Sequence, residues 1–306
     1  MEKTSSIDLK LTDPQKIIKL RQALLTVPLL NPALQSDADV DKKDWVHIFP
    51  IAMGYSNSSY RIETQHKKYV LRIDTSAKNL FQCDRQHELA IITEAAKLQL
   101  APEVVYSDIE RGILITEYIE GRLLQKPDLS KPEIANNLNQ LLDDISAIQV
   151  DISARLLHKT IGYYWQLLDP LLKEYPQLTS CRKQLQPLIL DLSMRQHEYE
   201  ICHNDLTAGN LILQQDDQIK ALDWEYAALS HPLLDFAIFA NAWELSNVQL
   251  SEMFPQKFYK MDFDWQQVRQ LASFIEALWY AIRVTREPFG PWEKLLQQQI
   301  QQLSRY

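Results

Sequence analysis

The spacing of apolar residues shifts near residue 120 from mainly strand-like to mainly helical, and that shift limits the folds open to this sequence. Before it, short runs read as strands separated by turns: Val46–Ile51, Ser59–Glu63, Lys68–Ile73, Glu103–Tyr106 and Ile113–Tyr118. After Gly121, apolar positions return at helical intervals, as in Ile134, Leu138, Leu141, Leu142, Ile145 and Ile148. A strand-rich half followed by a helical half is an α+β arrangement. The expected boundary lies near residue 120, with an N-terminal lobe over 1–120 and a helical lobe over 121–306. Within the first lobe, Asp13-Pro14 reads as the start of an extra helix over 13–27, before a polar connection at 29–43.

The chain has 306 residues, enough for a large core split in two. Its formal charge of −8 argues against a general nucleic-acid binder, whose footprint is basic. No apolar run approaches the length of a membrane span, and residues 1–10 lack the apolar core of a signal peptide. Cys83, Cys181 and Cys202 show neither metal-ligand nor paired spacing, which suits a reducing, cytoplasmic setting. Cys202 reads as a small buried residue of a strand rather than as a nucleophile.

Two features of the strand-rich half bear on phosphate chemistry. Gly54, Ser56, Asn57 and Ser58 lie between strands, where such residues make either a plain hairpin turn or a backbone-amide cradle for phosphate. Arg72 sits inside an otherwise apolar strand, where a cation is costly without a partner. Glu88 offers one, on a helix expected around 84–99 with Leu89, Ile92 and Ala96 packed inward. Leu100-Ala101-Pro102 ends that helix. Further on, Ser130-Lys131-Pro132-Glu133 has the form of a capping box opening the helix of Ile134 to Ile148. Helical regions are also expected over 162–173 and 182–198.

The chemistry concentrates in His203-Asn204-Asp205-Leu206-Thr207-Ala208-Gly209-Asn210, followed by Leu222-Asp223-Trp224-Glu225-Tyr226. A carboxylate, an amide five residues on and a second carboxylate after a short hairpin offer oxygen ligands to a hard cation. Magnesium takes one or two carboxylates, with water and substrate phosphates completing its shell. The chain therefore offers Asp205 beside a reacting hydroxyl, with Asn210 and Asp223 for Mg2+. His203 is expected to fix the loop through a backbone hydrogen bond rather than to take part in chemistry.

The spacing His-x-Asp-x4-Asn with a later Asp resembles the catalytic loop of protein kinases. The forms His-Asn-Asp and Asp-Trp-Glu-Tyr-Ala resemble instead the choline/ethanolamine kinase and aminoglycoside phosphotransferase superfamily, which includes thiamine kinase. That resemblance covers two hundred or more residues and leaves about the first forty aside. It implies a protein-kinase-like two-lobe fold with ATP in the cleft between the lobes. It implies that residues 54–58 cover the nucleotide and that Arg72, clamped by Glu88, holds its α- and β-phosphates. It places the adenine-binding backbone near Glu117 to Ile119. Asp205 would accept the proton of the attacking hydroxyl, and Asp235 would brace the loop. Arg72 stands where protein kinases carry Lys, and Asn204 where aminoglycoside and thiamine kinases often carry Gly.

For the acceptor, the same resemblance suggests a small cationic alcohol, choline first, with thiamine and ethanolamine next. Quaternary ammonium ions donate no hydrogen bonds and are held on aromatic faces with carboxylates nearby. Glu225, Tyr226, Trp243, Glu244, Trp279 and Tyr280 are the candidates, although each aromatic residue also fits an ordinary core. An antibiotic or sugar kinase of the same fold is one alternative, but the C-terminal third, with Asp262, Asp264 and Glu276, shows no concentrated acidic run. A catalytically silent nucleotide-binding protein is another. The joint presence of Asp205, Asn210, Asp223, Arg72 and Glu88 speaks against it.

Overall fold

A computed structural model describes residues 46–51, 57–64, 66–74, 80–169, 171–259, 263–287 and 290–304. Gly54, Ser56, Asp262 and the helix expected over 13–27 lie outside these residues. The chain forms two compact units, one of 1–79 with 102–120 and one of 80–101 with 121–306. The division differs from the expected one at residues 80–101, which cluster with the helical unit rather than with the strands.

The first unit holds an antiparallel sheet of β1 (Val46–Pro50), β2 (Asn57–Thr64), β3 (Lys68–Asp74), β4 (Val104–Asp108) and β5 (Ile113–Glu117). The spatial order is β1-β2-β3-β5-β4, so β3 is central and Arg72 lies opposite Ser59 on one side and Leu114 on the other. Ile48, Tyr60, Ile62, Leu71, Ile73, Ile113 and Ile115 make the buried apolar set. Alternation along pleated strands brings such residues to a common face.

The second unit begins with α1 (Arg85–Lys97), whose N-cap Asp84 accepts the amides of Gln86 and His87. Its buried face is Arg85, Glu88, Ile91, Ile92, Ala95 and Ala96. Ile92 and Ala96 face inward as expected, while Leu89 is only half-buried and Arg85 and Glu88 go inside beside them. After β6 (Arg122–Leu123) comes α2 (Pro132–Ser146). All six of the expected apolar residues from Ile134 to Ile148 are buried.

The capping box at Ser130 does not form. Lys131 is the N-cap, Pro132 with its fixed φ starts the helix, and Ser130 ends the 3-10 turn Lys126–Ser130. Then follow α3 (Leu157–Leu167) and α4 (Pro176–Met194), offset by a few residues from the expected helical regions.

Four short strands and the turns between them then carry the candidate site. β7 (Glu200–Cys202) pairs with β10 (Ala228–Ser230), and β8 (Leu211–Leu213) joins β6 to β9 (Ile219–Ala221). The remainder is helical: α5 (Pro232–Ala242), α6 (Asn247–Met253), α7 (Pro255–Tyr259), α8 (Trp265–Arg286) and α9 (Trp292–Leu303). The core of this unit is built chiefly from α3, α4, α5, α8 and α9, with Phe81 set among them.

Candidate active site

The loop between β7 and β8 is held from beneath. Asp235, near the start of α5, accepts the backbone amides of His203 at 3.0 Å and Asn204 at 2.7 Å. Asn204 has φ +61, a left-handed position that Asn tolerates better than most side chains and Gly better still. The Asn204 amide also donates to the carbonyl of Tyr226 at 3.1 Å, and the Arg155 guanidinium donates to the same oxygen at 2.8 Å. Trp243, on the far end of α5, donates its indole N–H to the carbonyl of Leu206 at 2.8 Å.

His203 is fully buried and meets the carbonyl of Leu222 through Nε2 at 3.0 Å. A carbonyl only accepts, so the proton sits on Nε2. Burial holds this imidazole down to about 4, against the opposing pull of the carbonyl. The ring packs on Trp224, with centroids 4.7 Å apart. His203 is thus a strut within the loop.

Asp205 is half-buried on the outer side of this frame. The side-chain amide of Asn210 donates to its Oδ2 at 2.8 Å and to its backbone carbonyl at 2.9 Å. Burial pushes the Asp205 carboxyl well above the usual carboxylate range. The charges of Asp223 and Glu225 push the same way, the Asn210 hydrogen bond opposes, and Glu276 adds a smaller push upward. Asp223 follows Leu222, whose amide donates to the carbonyl of Asn210 at 2.8 Å, so the two segments are stitched together. Asp223 itself is exposed, with φ +57 and ψ +68.

The donor set fits a hard cation. The Asn210 amide nitrogen is committed to Asp205, which leaves its side-chain carbonyl oxygen as the atom that could meet a cation, and Asp223 adds an exposed carboxylate. Among the described residues no group of three or more His, Cys, Asp or Glu forms a metal cage. A pair of protein oxygens is what magnesium takes when phosphates supply the rest.

The expected substrate residues divide. Tyr226 and Trp279 come together, the indole donating to the Tyr226 hydroxyl at 3.0 Å. Trp279 also stacks on Phe81 at 5.0 Å and meets Tyr280 and Trp292 edge-on at 5.5 and 5.6 Å. Tyr280 donates to Glu276 at 2.9 Å.

Trp243 is only 2% exposed and already bonded to Leu206, so it supports the loop from within instead of offering a face to a ligand. Glu244 is exposed and paired with Lys126 at 2.9 Å, which holds its carboxyl below the usual range. Glu225 is 2% exposed and bonded to Arg85 at 3.1 Å. Phe81 and Arg155 carry no signal in the sequence because the partners named here lie about 70 to 200 positions away, and Arg85, though three positions from Glu88, meets Glu225 only across 140 positions.

In the first unit, Asn57 and Ser58 open β2, and Asn57 is buried. Arg72 is nearly buried and 3.8 Å from Asp74. Glu117 ends β5 and pairs with Lys67 at 3.0 Å, while the Glu117 amide donates to the carbonyl of Glu103 and Ile119 is half-buried. Glu88 accepts from Arg85 at 2.7 Å within the second unit.

A family model described as the phosphotransferase enzyme family matches residues 47–271, most of the chain. The chain belongs to this family. Protein LicA of Haemophilus influenzae is 26% identical to it over 250 residues, covering 77% of this chain and 91% of that protein. Choline kinase LicA from Streptococcus pneumoniae superposes with a TM-score of 0.70 at 21% identity, over 95% of this chain and 99% of that one. LicA in complex with AMP superposes at 0.68 with 20% identity, over 95% and 98%. These structures show the kinase-like fold: an antiparallel N-terminal sheet and a mainly helical C-terminal region. As a member of the phosphotransferase enzyme family, the chain is a small-molecule kinase. Among the described residues no helix is long and apolar enough to cross a membrane.

Proposed function

We propose that this phosphotransferase moves the γ-phosphoryl group of ATP to the primary hydroxyl of a small cationic alcohol, choline first, with magnesium. The observation that carries the reading is the half-buried Asp205, its Oδ2 fixed by Asn210 at 2.8 Å in a loop clamped by Asp235. The hydroxyl oxygen forms the new bond to phosphorus as the bond to ADP breaks, and its proton passes to Asp205. Asn210 and Asp223 would hold magnesium, which when bound supplies charge neutralisation on the phosphate oxygens. Because phosphoryl transfer asks mainly for positioning, the clamps on the loop matter as much as the base.

Asn57, Ser58 and Arg72 of the first unit, with backbone near Glu117 to Ile119, are the groups we assign to ATP. The likeness to LicA solved with AMP supports a nucleotide ligand. For the alcohol we assign Tyr226, Trp279 and Tyr280, with Glu276 as the nearby carboxylate. Tyr280 donates to Glu276 at 2.9 Å, which fixes that carboxylate beside the aromatic residues. An aromatic wall with one carboxylate suits a fixed positive charge.

Magnesium-dependent release of ADP from ATP, measured with choline, ethanolamine, thiamine and an aminoglycoside, tests this. Choline should give the highest kcat/KM. Preference for the aminoglycoside, or turnover unchanged by chelating magnesium, would refute it.

A further inference from the structure

A buried cation in the second unit is unused by the mechanism above. Arg85, in the first turn of α1, is 9% exposed and carries two carboxylates that are buried more deeply still. Its Nη1 donates to Glu88 at 2.7 Å and its Nη2 to Glu225 at 3.1 Å. Glu225 is two residues after Asp223, in the 3-10 turn Trp224–Tyr226.

We propose that Arg85 is a positioning residue for phosphoryl transfer, acting through Glu225 to fix the turn that presents Asp223 and Tyr226. Three points support it. The guanidinium is a rigid fork that reaches two carboxylates at once, which an ammonium cannot do in the same geometry. Glu88 lies one helical turn from Arg85 and sets the fork, so the orientation is transmitted along α1. The turn itself is short: a 3-10 segment of three residues, entered through a left-handed Asp223, closed by the Ala227 amide on Trp224 and met at the Tyr226 carbonyl by Asn204 and Arg155. A buried ion pair adds little net stability, but removing one partner strands the other charge. Here the stranded charge would be Glu225, beside the two residues that handle the metal and the alcohol.

The inference rests on the proposed function, and its test separates the two. Arg85→Met, Glu225→Gln and the double variant are compared for kcat and alcohol KM, and for hydrogen exchange of the Ala227 amide. If Arg85 acts through Glu225, each single change lowers kcat by about 10²-fold, the usual scale for misplacement near a reacting group. The double variant is then no worse than the poorer single one. Exchange at Ala227 rises in all three, while α1 stays protected. Arg85→Lys, which keeps one ion pair, recovers part of kcat and serves if the Met variant does not accumulate.

Multiplicative losses in kcat would overturn the proposal, as would exchange rising across α1 with Ala227 unchanged, because Arg85 would then only glue a helix in place. A wild-type enzyme inactive on every alcohol refutes the proposed function instead. The exchange comparison still decides the role of Arg85.

Discussion

Asp235 receives two consecutive backbone amides, those of His203 and Asn204, on its two carboxylate oxygens. Asn at this position keeps one acceptor and turns an amide group against the other donor. Asp235→Asn should therefore lower kcat about 10²-fold with little change in nucleotide affinity. Burial raises this carboxyl to about 6, with the Asn204 and His203 amides opposing. The folded state holds the proton longer than the unfolded chain does. The resulting stability is fully present below the unfolded value near pH 4 and lost as pH rises through about 6. Relative to Asp235→Asn, wild type should gain about 2 kcal/mol in unfolding free energy between pH 6 and 4, read by denaturant titration.

Asp205→Asn should remove most turnover and leave ATP binding within about 2-fold of wild type, since the assigned role is to take a proton. Single-turnover kinetics alongside equilibrium nucleotide binding will check this. Unchanged turnover would exclude Asp205 as the base.

His203 has the opposite pH signature. Its folded value, about 4, lies below the ordinary one of about 6.5, so its contribution is present above pH 6.5 and lost as pH falls toward 4. The loss should reach about 3 kcal/mol and be absent from His203→Gln, whose amide still donates to Leu222. Denaturation curves at pH 7, 5.5 and 4 will show whether the two proteins converge in acid.

Trp243 and Trp279 should separate by assay. Trp243→Phe loses one buried hydrogen bond and about 1 kcal/mol of stability, with alcohol KM near wild type. Trp279→Phe releases the Tyr226 hydroxyl and should raise alcohol KM about 10-fold with a smaller effect on Tm.

Gly121→Ala tests the close approach at the entry to the second unit. A Cβ there would lie 2.6 Å from the Leu213 carbonyl oxygen and from Cγ2 of Ile212. Overpacking against backbone should cost about 1–3 kcal/mol and lower Tm, read by calorimetry.

The strands, the helix of Ile134 to Ile148 and the loop from His203 to Asn210 were legible because their signals are local. Period-two and period-3.6 spacing report which face is buried, and the Asp-x4-Asn offset is short enough to recognise. Asn204 was legible once a left-handed position was required. On α1 Ile92 and Ala96 were legible, but the inward Arg85 was not, because its second carboxylate, Glu225, comes from 140 positions downstream. Trp243 misled for a related reason: an indole beside a carboxylate reads as a cage, but Leu206 offers its carbonyl from another segment. Long-range partners, rather than residue type, decided each of these.

The helix from Arg85 to Lys97 has a further consequence for how the chain is made. Its charged inner surface meets Glu225, 140 positions downstream of Arg85. During synthesis the helix leaves the ribosome long before that acid exists. The flanking strands need one another, yet this helix interrupts them, so neither unit can be released by a single cut. Assembly from the N-terminus must therefore tolerate a helix with two unburied charges, or wait for translation to reach the turn after Asp223.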